Sequence, residues 1–407
     1  MHHGLARHPT RQLWGESPRA WAILAIGVLA VSAHSALSLA FSVLMKPIAA
    51  SLQVERTVFA SAMTLRMFLM VLCMSLAGVA TDRWGARPVL AGGAALVGCA
   101  TAVLATTISL AGFFPAMALI GPGQAAIGSV AASALVLRRF RRRRGLAIGI
   151  LNGGDNFLNA GAPVLTASLL EWAGWRSALG AWSGIYLTLA VLILLALSRE
   201  DGRAPAPRRG AGDDGPSWRA CVRHRGLWLL VATYVLTYAF ITSVQLHLHA
   251  FQTDLGRSNV EAAHVLSTQI LVGAIGSPFF GWLAERIGAR RSLAIVLVGL
   301  TAGSVALWNL HSFPAFLVWA VFYGLINSGV VAVLALALAE LFDTQFIGRL
   351  MGLTMTFCMA STMLANLYSA SMFDAFGTYR PVWQTYSVLT LLALVPAWQL
   401  LRTHPQR

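Results

Sequence analysis

Long apolar runs dominate this chain and leave few folds open to it. A helix that crosses a hydrocarbon layer roughly 30 Å thick needs about 20 apolar residues at about 1.5 Å per residue. Runs of that length fall at 21–46, 57–80, 88–108, 112–137, 145–170 and 177–198, then at 227–250, 260–284, 292–310, 314–340, 348–372 and 382–402. The expectation is an all-α polytopic membrane protein with twelve transmembrane helices. Composition agrees: 57% of residues are hydrophobic and only 11% charged, against about 25% charged in soluble domains.

The chain is also written twice. GVATDRWGARP at 78–88 returns as GWLAERIGARR at 281–291, each a short polar hairpin between two apolar runs. Each lies between the second and third spans of its own half, so the halves enter the membrane in the same sense. The predicted organisation is a tail over 1–20, a six-helix bundle over 21–198, a linker over 199–226, a second six-helix bundle over 227–402 and a short tail over 403–407. The linker combines Pro, Gly and charge with almost no apolar periodicity, the composition of a flexible connection.

A formal charge of +15 suggests nucleic acid only until the arginines are placed. Arg83 and Arg87, the run RRFRRRR at 138–144, seven arginines in 199–226, and Arg286, Arg290 and Arg291 occupy alternate connections. That is the positive-inside pattern, which puts these loops and both termini in the cytoplasm and makes the lipid bilayer, not nucleic acid, the partner. Arginine-rich, lysine-poor usage and the lack of a targeting peptide suit a cell inner (plasma) membrane. Cys73, Cys99, Cys221 and Cys358 have no metal-ligand spacing, and no phosphate-cradling Gly-Lys-Ser/Thr loop is present, so no metal site, cofactor, enzyme activity or nucleotide-driven pumping is expected.

Parallel six-span halves, each with the acidic-Arg-Gly hairpin between its second and third spans, resemble the major facilitator superfamily of secondary transporters. Shorter stretches, SLAFSVLMKPIAASL at 38–52, RRRRGLAIGI at 141–150, EWAGWRSAL at 171–179, HLHAFQTDLG at 247–256 and MFDAFGTYRPVW at 372–383, are similar to its monocarboxylate and oxalate branch. The resemblance implies alternating access around a central site between the bundles, with small carboxylates moved alongside protons or by exchange. It implies a cytoplasmic gate built from the hairpins, with Gly78, Asp82, Arg83, Gly85 and Arg87 in the first copy and Gly281, Glu285, Arg286, Gly288 and Arg290 in the second. It also implies that helices 1, 4, 7 and 10 line the cavity. Their mid-span polar residues are His34, Gln124, Tyr238 and Asn327, which become substrate-binding candidates; a plain helix-to-helix hydrogen bond is the alternative for each.

Charge inside the membrane is a sharper signal, since it costs about 2.5–3.5 kcal/mol on the lenient scale and requires a partner or a watery cavity. Arg66 in span 2 and Asp155 in span 5 stand out. Arg66 is assigned to a substrate anion and Asp155 to proton coupling, with a fixed pair between them as the structural alternative. Lys46, the single lysine, sits at the outer end of span 1, where it either meets an incoming anion at the mouth or snorkels to the interface.

The chain departs from the branch in span 8. The Asp and Arg that engage proton and carboxylate there align with Gly273 and Ser277, and Arg349 lies at the cytoplasmic end of span 11 rather than within it. A carboxylate must then find its counter-charge in the first half. The expected function is secondary transport of a small, monocarboxylate-like organic anion, coupled to protons. Efflux of a neutral or amphipathic molecule and a non-transporting sensor on the same fold are the alternatives.

Overall fold

The computed structural model describes residues 17–128, 131–132, 135–136, 139–140, 144–197, 218–342 and 347–402. Eleven helices among them are long and apolar enough to cross a membrane. One, Gly153–Ala196, runs for 44 residues, about 66 Å if straight and twice the hydrocarbon thickness. It is not straight. Gly174 has φ 79°, a left-handed conformation that only glycine adopts freely, and the Trp182 indole donates to Thr166 Oγ1 at 3.0 Å across the turn. Sixteen residues of continuous helix would hold those side chains about 24 Å apart. The segment is a hairpin of two spans, which makes twelve crossings.

Span 1 is Pro18–Ser51 and span 2 Arg56–Trp84; span 3 is Ala86–Thr106 and span 4 begins with Leu110–Ile127. Span 5 comprises Arg144–Asn159 and the start of Ala162–Ala196, which also supplies span 6. A short helix, Trp218–Arg223, precedes span 7 at Arg225–Asp254, so the linker-facing end of the second bundle is helical. Spans 8 to 12 are Asn259–Ile287, Ala289–Leu307, Phe313–Leu341, Ile347–Phe376 and Arg380–Leu401. The predicted linker from 199 to 217, most of the arginine run at 138–144 and both expected tails apart from residues 17–20 lie outside the described residues.

Helix ends follow local chemistry. Ser17 caps span 1 by accepting from the Ala20 amide, with Pro18 in the first turn where no amide is needed. Ser258 and Glu261 close a capping box on span 8. Both hairpins turn on a glycine with positive φ, Gly85 at 89° and Gly288 at 90°. Each ends one span and starts the next within a single residue, which explains why the motif carries glycine there.

The duplication extends into the packing. Gly78 and Gly281 are 203 positions apart (281 less 78), and the same offset relates two close helix crossings. A Cβ on Gly121 of span 4 would stand 2.3 Å from the Arg66 carbonyl of span 2, and one on Gly324 of span 10 would stand 2.3 Å from the Gln269 carbonyl of span 8. Lipid supplies no hydrophobic drive between helices, so close backbone approach at small residues holds each bundle together. The two bundles meet along spans 1 and 7, 2 and 11, and 5 and 8.

Replacing Gly121 or Gly324 with Leu is expected to push these crossings apart and to destabilise the protein by about 1–3 kcal/mol or more. Gly180→Leu, where nothing lies within 4 Å of the added carbon, serves as the control. Thermal melting in detergent reads the difference, and equal melting temperatures for all three variants would contradict the packing account.

Candidate functional site

Between the bundles, at the crossing of spans 1, 2, 7 and 11, lies a cavity of about 230 Å³. Spans 1 and 2 contribute His34, Ser35, Ser38 and Arg66 with Met63, Met67 and Met70; spans 7 and 11 contribute Thr242, Gln245, Leu246, Met359, Thr362 and Asn366. Two larger apolar grooves, of about 760 and 560 Å³, open on the outside of the first bundle between spans 1, 5 and 6 and between spans 2, 3 and 4. Of these three spaces, the central one is lined by both halves.

Arg66 is the organising charge of this cavity. It is 5% exposed, and its Nη1 donates to Gln124 Oε1 and to Ser38 Oγ, the latter at 3.2 Å. Its Nε is buried with no hydrogen-bond partner. The guanidinium also lies 5.6 Å from the centre of the Phe41 ring, a contact in which the ring face attracts the cation. No carboxylate pairs with it among the described residues.

Gln124 lies behind Arg66 and is fully buried. Its Nε2 donates to the His34 carbonyl at 2.8 Å, while His34 Nδ1 bonds the Gln124 carbonyl at 2.9 Å. A carbonyl only accepts, so Nδ1 carries the proton and Nε2 is the acceptor of the neutral ring. His34, Gln124 and Arg66 thus form one cross-linked unit of spans 1, 4 and 2. Asp155 is separate: its Oδ1 accepts from Asn159 Nδ2 at 2.6 Å, and its other polar neighbour is Ser35, which lines the cavity. The fixed Arg66–Asp155 pair is not formed.

Tyr238 and Asn327 stand away from the cavity lining. Tyr238 is buried beside Tyr234, ring centres 6.4 Å apart, and Asn327 is half-buried on span 10. The duplication explains Asn327: it occupies the position of Gln124 in the second half, just as Gln269 occupies that of Arg66 and Thr237 that of His34, each 203 residues on. The polar cluster of the first bundle has a neutral, shorter counterpart in the second.

We name the membrane faces by the chain: the linker face holds the hairpins and the connection between spans 6 and 7, and the far face is opposite. At the far face the bundles are tied by charge. Arg56 at the start of span 2 makes a two-pronged bond to Asp254 at the end of span 7, at 2.7 and 2.9 Å. Lys46 reaches the same carboxylate at 2.7 Å and Thr253 Oγ1 at 2.9 Å. Asp374 of span 11 accepts from the Arg56 and Thr57 amides and the Thr57 hydroxyl, at 3.2, 2.8 and 2.6 Å. Arg56 further donates to Tyr379 Oη at 2.9 Å and sits 3.5 Å over the Phe373 ring. Lys46, expected at an outer mouth, is thus part of a closure.

A family model described as Major Facilitator Superfamily matches residues 24–267 and 237–407. The chain belongs to this superfamily. This facilitator is 27% identical over 303 residues to monocarboxylate transporter 13 of Bos taurus, covering 74% of this chain and 70% of that protein. It is 24% identical over 316 residues to the agnestins efflux protein AgnL12 of Paecilomyces divaricatus, covering 76% and 70%. Its fold is that of a bacterial homologue of the human lysosomal transporter Spinster, solved in an inward-facing, occupied conformation: TM-score 0.78, 14% identity, 95% of this chain and 96% of that one. The protein is a multi-pass membrane transporter and not an enzyme.

The hairpin arginines of the facilitator brace their own bundles. Arg87 donates to the Leu194 carbonyl of span 6 at 2.7 Å, Arg290 reaches Glu340 of span 10 at 3.4 Å, and Arg286 lies 5.1 Å over the Trp282 ring. Arg83 is exposed on the linker face; the side chains of Asp82 and Glu285 lie outside the described residues. Sequence reasoning missed the methionine wall. Met63, Met67 and Met70 recur at the spacing of one helix face, the face that also carries Arg66, and extending that face would have found them.

Because Asp254 keeps Arg56 when Lys46 is lost, while Arg56 alone also holds Tyr379, Arg56→Gln is expected to open the far face more than Lys46→Ala. With Met63→Cys as reporter beneath the closure, Arg56→Gln should raise labelling by an impermeant maleimide applied to the far face by about tenfold, the effect of losing hydrogen bonds to a charged group. A larger effect from Lys46→Ala would reverse the assigned order.

Proposed function

We propose that this facilitator moves a small organic anion across the membrane by alternating access, with Arg66 as the binding cation. The observation that carries the reading is a buried guanidinium, unpaired with any described carboxylate, on a cavity shared by both bundles. A cation so placed is costly without a counter-charge or water, and the cargo supplies one during each cycle. Gln124 and Ser38 hold the guanidinium in place, so it is pre-organised for an oxyanion. His34 offers the acceptor nitrogen Nε2 in the same space.

Asp155 is the candidate proton site. It carries a carboxylate in mid-span, bonded to Asn159 and reached from the cavity through Ser35, so a proton arriving with the cargo has a place to reside that is not consumed by Arg66. The linker face, rich in arginine, is assigned to the cytoplasm of a cell inner membrane. The closure of the far face by Arg56, Lys46 and the two aspartates supports a state open toward that side. The mouth role of Lys46 then belongs to the opposite state, when Asp254 has released it.

Efflux of an amphipathic molecule is the second reading, favoured by the four methionines on the wall, since unbranched, polarisable side chains adapt to varied apolar shapes.

The test is uptake into proteoliposomes of labelled monocarboxylates, dicarboxylates and neutral analogues, with and without an inward proton gradient. Monocarboxylate uptake is expected to rise with the gradient and to fall about tenfold to a hundredfold in Arg66→Ala, the loss expected for charge-assisted hydrogen bonds. Asp155→Asn is expected to retain anion exchange and lose its response to the gradient. Anion flux that survives Arg66→Ala would sink the binding assignment, and transport of neutral amphiphiles alone would establish efflux.

A further inference from the structure

One buried histidine lies between the cavity and the far-face closure and is used by neither. His247 of span 7 is fully buried, and its Nδ1 stands 3.0 Å from Tyr379 Oη. That same phenol oxygen receives Arg56 Nη1 at 2.9 Å. The groups at the two ring nitrogens set the direction of the chain. Arg56 can only donate, so the phenol accepts from it; the neighbour of the other ring nitrogen is the Asn366 carbonyl, which can only accept, so the ring proton belongs on Nε2 and Nδ1 is left to accept the phenol proton. Nε2 is buried and faces the Asn366 carbonyl of span 11 without closing a hydrogen bond to it.

The two ends of this chain mark the closure and the cavity. Asn366 lines the cavity ten residues from the end of its helix at Phe376, and Arg66 lies ten residues from the start of its own at Arg56. They are at the same depth on spans 2 and 11, which pack together, beneath a closure made by the far ends of those same two spans. The Tyr379 ring is held by Phe373, Phe251 and Trp383, with centres at 4.7, 6.1 and 5.9 Å. Those rings fix where the phenol is; among the described residues His247 is the acceptor placed to fix where its hydrogen points.

We infer that His247 is a positioning residue of the far-face gate: it turns the Tyr379 hydroxyl so that its lone pairs face Arg56, with its other nitrogen set against the backbone of the cavity residue Asn366. Without the ring nitrogen the phenol proton has no acceptor there and competes with Arg56 for the space in front of the oxygen. The gate then loses its oriented phenol and keeps the carboxylate contacts of Asp254 and Asp374. The inference rests on the alternating-access reading above but needs no knowledge of the cargo.

The gate is read without cargo, by far-face maleimide labelling of Met63→Cys in the full-length protein in sealed vesicles, quantified at that residue by mass spectrometry. His247→Phe keeps a ring and removes both nitrogens; it is expected to raise the labelling rate about threefold to tenfold, the shift a single net hydrogen bond gives a two-state equilibrium. Tyr379→Phe deletes one oxygen and should match it, and the double variant should add nothing further. His247→Gln, which offers an amide oxygen to the phenol, should return the rate toward that of the parent. The buried Cys221 and Cys358 report folding by staying unlabelled in detergent-solubilised portions of the same samples, where the reagent reaches both faces. A parent-like rate in Tyr379→Phe overturns the inference even if His247→Phe fails to fold, and where His247→Phe folds, single effects that add in the double variant overturn it too. If Arg56→Gln itself leaves Met63→Cys closed, the alternating-access reading of this face fails instead, so the two failures are told apart.

Discussion

The guanidinium of Arg66 is the constraint around which the rest of the protein is arranged. On the lenient scale a charge at this depth costs about 2.5–3.5 kcal/mol, and the chain meets that cost without giving it a carboxylate. Gln124 and Ser38 accept its hydrogen bonds, the Phe41 ring lies within reach of its charge, and the cavity supplies the remaining side. Gln124 is in turn locked to span 1 through two bonds with His34. A cation offset by neutral dipoles keeps its full charge for a visitor, whereas one paired with Asp155 would have spent it. The acids near the axis of the molecule are used three turns further out, at Asp254 and Asp374, where they bind Lys46, Arg56 and Thr57 instead.

The internal duplication shows how a symmetric scaffold acquires a one-sided site. The hairpin glycines Gly85 and Gly288 share one backbone conformation, and Gly121 and Gly324 make the same contact with the helix two spans earlier. These positions shape the turns and packing of each bundle and are glycine in both copies. The polar positions have diverged: Arg66 answers to Gln269, Gln124 to Asn327, Asp155 to Cys358. Charge resides in the first bundle, and the second offers Thr242, Gln245, Thr362 and Asn366 to the shared space. The shared space therefore has a cationic wall on one side and a neutral wall on the other.

The twelve spans, the parallel halves and the hairpins were legible because each is a local signal: run length, repetition, a glycine between two helices. Arg66 was legible for a similar reason, since a lone charge in an apolar run must be explained wherever the helix faces. What failed was rotation. Tyr238 and Asn327 were placed in the cavity because they are polar and at mid-depth, but in a helix apolar on every side nothing in the pattern says which face turns inward. Tyr238 instead packs on Tyr234, whose hydroxyl bonds the Val330 carbonyl at 2.8 Å within the second bundle. The far-face closure was hidden by sequence separation, because Arg56 lies 198 residues from Asp254 and 318 from Asp374. Lys46 was read at the right end of the right helix without its partner.

A gate in a transport cycle must be firm enough to close and weak enough to break, and the far-face contacts are of two kinds that divide this task. Asp254 is one-quarter exposed, and partly hydrated ion pairs of this sort contribute little, about 0.2–1 kcal/mol each. The bond from Arg56 to Tyr379 is made against a buried phenol within an aromatic cluster, where an unmet donor or acceptor costs about 1–3 kcal/mol. The ion pairs therefore draw the two faces together without committing them, and the buried contact decides whether the closure holds. A cargo that binds both states equally cannot move that balance however tightly it binds; it must gain more in one than in the other. Arg66 on span 2 and Asn366 on span 11 are placed for such a difference, because the ends of the same two helices carry Arg56 and Asp374, and any change in their separation at the cavity is a change in the geometry of the gate.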